Sequence, residues 1–375
     1  MTNFSRATDA IVAAAALLLG QAGHAAQIVV GQVAPMSGLE ASQGRAYAAG
    51  MQLHFDAVNK GGGVNGHTFK LVKRDDGGRP EETVAATRTI LADDKPLVLA
   101  GYIGSRNVAD LLASGLLDKE KIAIVGYRVA EIRDQTPLMY SVRAGLREEI
   151  QKITEHLATI GITRLGLLYE DGPGVSALLD ATSEAAAKAR ATIISRASYP
   201  AGTARVAPAV DVFIQSNPQA IVMVATGSAA AGFIEQYRNA GGRAQLFAHS
   251  GADIEQLAKR LSEEQMQGVA IAQVTPIPYK IGSRLAKDLN DLANGQNPPL
   301  RVSYAMMEGY VTAKVIEEAV RRQGARPSRE GTAAALDAMA SFNVGGYAIG
   351  FKPGIRSGSR LVELSIITAD GRIRQ

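Results

Sequence analysis

The stretch SGLEASQGRAYAAGMQLHFDAVNKGGGVNGHTFKLVKRDD, residues Ser37–Asp76, predicts the first folding unit of the chain. A helix is expected over about Gly44–Lys60, where apolar residues recur on one face, and Gly61-Gly62-Gly63 ends it. Phe69–Lys73 then has the length and composition of a buried strand. Because an apolar run of strand length, Ile28–Val33, precedes the stretch, strand, helix and strand follow one another as in a parallel β–α–β unit.

The same alternation of apolar runs and helical segments continues as far as residue 248. The further strands are predicted at Pro96–Ala100, Ile122–Val125, Leu165–Leu168, Thr192–Ile194, Ile221–Ala225 and Leu246–Ala248. These runs are continuous rather than alternating, which is typical of parallel strands buried on both faces. Pro276 and Pro278 indicate a crossover or hinge, and Leu361–Thr368 is strand-like again. The sequence therefore predicts an α/β fold with mainly parallel sheets.

Length and composition indicate a globular protein with more than one core. The chain has 375 residues, of which 46% are hydrophobic and 20% charged, and chains beyond about 250–300 residues usually divide their core. The net charge of +4 comes from 40 basic and 36 acidic residues. A net charge this small, from nearly equal numbers of basic and acidic residues, does not favour a nucleic-acid partner. The absence of cysteine excludes disulfides, thiolate zinc sites, iron–sulfur clusters and a cysteine nucleophile.

The first residues have the pattern of an export signal. Arg6 precedes a wholly apolar run, Ala10–Leu19, and small residues then favour cleavage after Ala25, with Ala26 as the alternative position. Ten apolar residues are too few to cross a hydrocarbon core of about 30 Å. We therefore expect an exported, soluble, periplasmic protein, and a buried N-terminal helix is the alternative interpretation.

The sequence lacks the common catalytic and metal-binding motifs. It contains no GxSxG, HExxH, GxxxxGK[ST] or EF-hand pattern, and its five histidines lack metal-ligand spacing. We therefore expect no enzyme, no cofactor and no metal site. A secreted hydrolase with a triad assembled only in space stays open as an alternative.

The loops that follow the predicted strands are the expected binding site. In open parallel sheets, ligands bind beyond the carboxyl ends of the strands, near helix N-termini with free backbone N–H groups. Small residues, hydroxyls and charges occur together in these loops, and the candidate ligand contacts are Ser37, Glu40, Tyr102, Gly104, Ser105, Arg106, Gly126, Tyr127, Arg128, Asp171, Thr226, Gly227 and Ser250. Alternatively, Ser105 is only a helix cap, and the two arginines are solvated or paired with Glu131 and Asp134.

Residues Ser37–Asp76 resemble the opening of the type I periplasmic solute-binding proteins, in particular the branched-chain amino-acid class that serves ABC importers. The shared pattern is a Ser-Gly loop, a helix that ends at Asn59 before GGVNG, and a strand that ends in Asp75-Asp76. Further segments that match are Ile122–Val125, Tyr169–Gly174, Tyr237–Gly241 and Glu308–Tyr310. The resemblance thus spans nearly all of the mature chain.

This resemblance implies two lobes joined by three crossovers near Ala144–Glu148, Gln273–Tyr279 and Gly345–Phe351. The lobes are expected over residues 26–146 with 276–347 and over residues 147–275 with 348–375. A small-molecule ligand would bind in the cleft and be buried by hinge closure. The implied function is a monomeric receptor that docks transiently on an ABC permease, and a sensory module of the same fold is the alternative.

The ligand loops depart from the pattern of the amino-acid binders in this family. Those proteins usually have Ser or Thr where Arg128 stands, and Asp253 is the only candidate here for the acidic partner of a ligand ammonium. An arginine fork binds a carboxylate through two hydrogen bonds, and Tyr102 and Tyr127 could stack on a flat ligand. We therefore expect a small carboxylate-bearing ligand, with organic or aromatic acids favoured over Leu, Ile and Val.

Overall fold

The computed structural model describes residues 27–132, 136–367 and 373–374, and the predicted export signal lies outside them. Within these ranges the chain forms two large sheets and one small strand pair. The strands are β1 (Gln27–Ala34), β2 (Thr68–Asp75), β3 (Val98–Ile103), β4 (Ile124–Arg128), β5 (Met139–Tyr140), β6 (Arg164–Glu170), β7 (Thr192–Tyr199), β8 (Ala220–Val224), β9 (Gln245–Ala248), β10 (Val269–Gln273), β11 (Phe342–Asn343), β12 (Ala348–Ile349), β13 (Glu363–Ile367) and β14 (Ile373–Arg374).

Helices connect most of these strands. They are α1 (Ala41–Lys60), α2 (Pro80–Asp93), α3 (Ser105–Ala113), α4 (Leu116–Glu120), α5 (Leu146–Thr159), α6 (Val175–Lys188), α7 (Ala207–Ser216), α8 (Gly227–Asn239), α9 (Ile254–Arg260), α10 (Glu263–Met266), α11 (Arg284–Asn294), α12 (Tyr304–Gln323) and α13 (Arg329–Asp337). In the described part of the chain, none of them combines the length and the apolar character that crossing a membrane requires.

The two sheets are mainly parallel, which confirms the predicted fold class. The first has the strand order β2-β1-β3-β4-β5, and all its pairs are parallel. The second has the order β14-β13-β10-β9-β8-β6-β7, and its antiparallel pairs are those of β13 with β10 and with β14. We call the first sheet with its helices the first lobe, and the second sheet with its helices the second lobe.

Each sheet is buried between two helical layers. In the first lobe, α1 and α12 cover one face together with α11, and α2 to α4 cover the other. In the second lobe, α7 to α9 pack on one face, and α5 and α6 pack on the other. Gly50 of α1 and Gly309 of α12 let these two helices meet closely, because a Cβ atom at either position would lie 2.0 Å from a carbonyl oxygen of the other helix.

Three chain segments pass between the lobes, near the positions that the resemblance implied. They lie between β5 and α5, between β10 and α11, and between β12 and β13. Tyr347, the residue directly before β12, contacts the first two segments, because its hydroxyl lies 3.1 Å from the carbonyl oxygen of Val142 and 2.9 Å from that of Val274. The expected division at residue 348 is too early, because Ile349 and Phe351 pack in the core of the first lobe.

Candidate ligand-binding cleft

The carboxyl ends of the parallel strands from both sheets meet at a cleft between the lobes. It contains an inner chamber of about 60 Å³, whose lining includes Glu40, Gln43, Gly104, Ser105, Arg128, Arg143, Glu170, Thr226, His249 and Gly251. An outer pocket of about 20 Å³ shares Ser105, Ala130 and Glu170 with it and adds Arg106, Asp171, Pro173, Val175 and Leu178. Both spaces are small in this closed arrangement of the lobes.

Arg128, the last residue of β4, links the two lobes from the chamber wall. Its side chain is only 4% exposed. One guanidinium nitrogen, Nη1, donates to Gln43 Oε1 of the first lobe at 2.5 Å, and Nη2 donates to the carbonyl oxygen of Ser250 in the second lobe at 3.2 Å. Its Nε lies 3.4 Å from a carboxylate oxygen of Glu308 but donates no hydrogen bond.

A second buried arginine, Arg143, also lines the chamber and lies between two carboxylates. Its guanidinium is 2.7 Å from Glu149 and 3.5 Å from Glu308, and it also donates to the hydroxyl of Ser250. Burial alone lowers the pKa of Arg143, but the charges of Glu308 and Glu149 outweigh burial and raise it. Arg143 is therefore charged, and with Arg128 the network has two positive and two negative groups.

Direct contacts hold the lobes together at the mouth of the chamber. Glu40 of the first lobe accepts hydrogen bonds from the backbone N–H and the hydroxyl of Ser228 in the second, at 3.2 and 2.6 Å. Gln43 Nε2 donates to the carbonyl oxygen of Gly251 at 3.2 Å, and Gln256 Nε2 donates to that of Leu39 at 3.1 Å. The structure thus has the geometry of a closed cleft.

Two carboxyl groups of the chamber, Glu40 and Glu170, lack a cationic partner among the described residues. Burial raises the pKa of Glu40, against the hydrogen bonds from Ser228. Burial also raises the pKa of Glu170, with a contribution from the nearby charge of Glu40 and against a hydrogen bond from the backbone of Gly202. The raised pKa values reflect the cost of placing two negative charges in a partly dry space.

His249 contributes a neutral ring to the same chamber. Its Nδ1 accepts a hydrogen bond from the backbone of Gly251 at 3.2 Å, and its Nε2 lies 3.0 Å from the carbonyl oxygen of Ala225. This arrangement requires the proton on Nε2. Burial lowers the pKa of His249 to about 4, so the ring is uncharged near neutral pH. Among the described residues, no group of three His, Asp or Glu side chains is arranged to hold a metal ion.

This fold and cleft agree with a comparison to known protein families. A family model described as a periplasmic binding protein matches residues 27–361. The chain belongs to this family. Membership implies a periplasmic location and a role in binding rather than catalysis.

Relatives of this periplasmic binding protein include both sequences and solved structures. A substrate-binding periplasmic protein from Ralstonia solanacearum is 36% identical, with a TM-score of 0.86 over 92% of this chain and 99% of that one. The Leu/Ile/Val-binding protein homolog 8 of Brucella abortus is 22% identical over 87% of this chain and 84% of its own. An amino acid binding protein of Pseudomonas aeruginosa is 32% identical, but the match spans only 29% of each chain.

Eight of the thirteen residues expected from the sequence lie at or beside the cleft of this binding protein. Those in the chamber lining are Glu40, Gly104, Ser105, Arg128 and Thr226; Arg106 and Asp171 line the outer pocket; Ser250 lies below, held by Glu149 and both buried arginines. Ser105 does not cap α3, because its hydroxyl accepts a hydrogen bond from the backbone N–H of Ala130 instead. Arg106 is exposed and pairs with Asp110.

The prediction that Tyr102 and Tyr127 stack on a flat ligand is wrong. Tyr102 and Tyr127 are opposite one another in the parallel pair of β3 and β4, so both side chains point to the same face of the sheet. That face is covered by α2 to α4, where Tyr102 is fully buried and its hydroxyl is 3.0 Å from that of Thr87. Neither ring lines the chamber or the outer pocket.

Three other candidate residues line neither the chamber nor the outer pocket. Gly126 faces α1 and α12, since a Cβ atom there would lie 2.1 Å from the hydroxyl of Tyr47. Ser37 is exposed, and its backbone N–H donates to Asp75 at 3.2 Å. Gly227 lies against the side chain of Gln256, since a Cβ atom at this glycine would be only 2.4 Å from Oε1 of that side chain.

Several residues of the cleft were not among the candidates from the sequence. Gln43, Glu149 and Glu308 lie within helices, and Arg143 lies at a crossover, so no strand-end loop contains them. His249 and Glu170 directly precede the candidates Ser250 and Asp171 in the same loops. The sequence could therefore have indicated these last two, but not which side chain of each loop faces the chamber.

Proposed function

We propose that this protein is the solute receptor of an ABC importer and that it binds a small carboxylate-bearing molecule in the interlobe chamber. The observation that carries the proposal is the guanidinium of Arg128, which lies in the wall of the chamber between the lobes. A guanidinium is the side-chain group best suited to a carboxylate. Gly104 and Ser105 supply the start of α3 in the same wall, where free backbone N–H groups favour an anion.

The cellular role follows from the family and from the relatives that bind amino acids. The export signal would be cleaved after about Ala25, and the mature receptor would act as a monomer in the periplasm. It would deliver its ligand to the membrane subunits of a permease by transient docking. Amino acids and organic or aromatic acids are the candidate ligands, and the name of the Brucella relative favours including Leu, Ile and Val.

A thermal-shift screen of the mature protein tests this proposal. The twenty standard amino acids, aliphatic diacids such as glutarate, and aromatic acids such as benzoate are each added in excess. A ligand at about 100 times its Kd adds about 2.7 kcal/mol to the free energy of unfolding, so the melting temperature should rise by about 2 to 4 °C. If no carboxylate raises the melting temperature while neutral sugars or amines do, the proposal is wrong.

A further inference from the structure

A pocket of about 620 Å³ lies beside the segment that joins β10 to α11. Both lobes and that segment line it: Ser42 and Ala46 belong to α1, Lys259 to α9, Lys280 to the joining segment and Arg301 to the residues before α12. None of its lining residues lines the chamber or the outer pocket. The pocket is far larger than either of them and has the volume of a site for a small organic molecule.

Hydrogen-bonded side chains of both lobes separate this pocket from the chamber. Gln43, which lines the chamber, lies on α1, and its Nε2 is 3.4 Å from Oε1 of Gln256, which lines the pocket. Gln256 Nε2 in turn donates to the carbonyl oxygen of Leu39 at 3.1 Å. A molecule in the pocket would therefore contact different residues from a solute in the chamber.

Much of the pocket wall is aliphatic. The aliphatic lining residues are Ala46, Ile254, Ala258, Ile277 and Val302. Ile254 is 1% exposed and packs in the core of the second lobe, so this part of the wall is fixed. Ile281 and Leu300, which adjoin the lining residues Lys280 and Arg301 in sequence, are 66% and 37% exposed. An apolar chain in the pocket would remove aliphatic surface from water.

Three cationic side chains line the same pocket. In the part of the chain that the structure describes, Lys259, Lys280 and Arg301 have no acidic partner. They belong to three separate segments, so the fold brings them together around one space. Converging cations without partners attract an anion, and the planar guanidinium of an arginine suits a carboxylate or phosphate.

The two acidic residues of the lining do not cancel this positive charge. Glu255 Oε1 accepts hydrogen bonds from the hydroxyl of Tyr279 and, at 2.7 Å, from the backbone N–H of Tyr304. Burial, together with the charge of Asp253, raises the pKa of Glu255, which favours its neutral form. Asp253, expected from the sequence to meet a ligand ammonium, lines this pocket rather than the chamber, where it is 6% exposed and caps α9.

We propose that this pocket is a second binding site, for a small anion that carries an aliphatic chain, such as an alkyl carboxylate or an alkyl phosphate. The chain would pack on the aliphatic wall, and the anionic head would lie at Lys280 and Arg301, where the pocket wall meets the joining segment. This site is separate from the carboxylate site proposed in the chamber and does not depend on it.

Calorimetric titration of the mature protein with octanoate and with octyl phosphate tests the site. We expect at least one of these anions to bind about tenfold or more tighter than octylamine, 1-octanol or acetate. The relative affinities of the two anions show whether the head is a carboxylate or a phosphate. Binding should persist in a saturating concentration of the solute found in the thermal-shift screen, because the two sites share no lining residue.

Three variants test the pocket residues directly. Lys280→Gln combined with Arg301→Gln should weaken the octyl anion by about tenfold or more and leave the affinity for the chamber solute within about threefold. Ala258→Trp, at an exposed position of α9, should weaken the octyl anion as strongly, because the indole would fill the pocket. Lys70→Gln is the matched control, since it removes an exposed lysine of β2 outside the pocket lining, and it should leave every affinity unchanged.

Three results would overturn this inference and leave the proposed function standing. The first is that neither octyl anion binds at millimolar concentration, and the second is that octylamine or 1-octanol binds as tightly as the anions. The third is that the chamber solute displaces the octyl anion, or that the double variant of Lys280 and Arg301 binds it as the wild type does. The proposed function, by contrast, fails only if the screen finds no carboxylate that binds in the chamber.

Discussion

Replacing Arg143 with alanine is expected to lower the free energy of unfolding by about 3 to 5 kcal/mol. The substitution removes the cation between Glu149 and Glu308, which are 0% and 1% exposed. Two carboxylates would then remain buried with less compensation, and the hydroxyl of Ser250 would lose its donor. Removing one partner of a buried pair costs far more than removing an exposed one, because the remaining charge cannot reach water.

Urea denaturation followed by circular dichroism measures this effect. Arg74→Ala is the matched control, because Arg74 pairs with Asp94 at 2.8 Å but is 37% exposed. Exposed pairs contribute about 0.2 to 1 kcal/mol, so the control should be nearly as stable as the wild type. Equal stabilities of the two variants would contradict the assignment of Arg143 to a buried ionic network.

Replacing Arg128 with alanine is expected to weaken binding of the ligand found in the screen by about thirtyfold or more. The variant removes the charge-assisted hydrogen bonds that we assign to the ligand carboxylate. It also removes the links to Gln43 and to Ser250, and hence one connection between the closed lobes. The loss of the ligand hydrogen bonds and the loss of the links between the lobes both lower the affinity.

Calorimetric titration of that ligand measures the affinity of each variant. Arg128→Lys retains the charge but not the planar fork, so its affinity should be intermediate. Arg106→Ala is the control, because Arg106 is 56% exposed and already pairs with Asp110; its affinity should fall by less than about tenfold. An Arg128→Ala variant that is folded and binds as the wild type does would exclude this arginine from the site.

The fold was predictable because its signals are local. Buried parallel strands appear as continuous apolar runs, and Gly61-Gly62-Gly63 follows α1, which ends at Lys60 as expected. The start of α1 was less accurate, at Ala41 rather than Gly44, because Glu40 is at its N-cap without a side-chain cap to indicate it. The last crossover was placed too early because nothing in the sequence shows that Phe351 belongs to the first core.

The site was predictable only at the level of loops. Strand-end loops do border the cleft, but the direction of each side chain depends on which sheet face it occupies, as the buried ring of Tyr102 illustrates. The partners of Arg128 come from a helix and from the other lobe, so sequence proximity favoured Glu131 and Asp134 over Glu308. The ionic partner of Arg128 therefore could not be read from the strand-end loops alone.

A crystal structure of the mature protein with the ligand from the screen tests the central claim most directly. We predict that the ligand lies in the inner chamber between closed lobes, with its carboxylate within hydrogen-bond distance of the Arg128 guanidinium. Density for the ligand outside the cleft, or a carboxylate directed away from Arg128, would contradict the account.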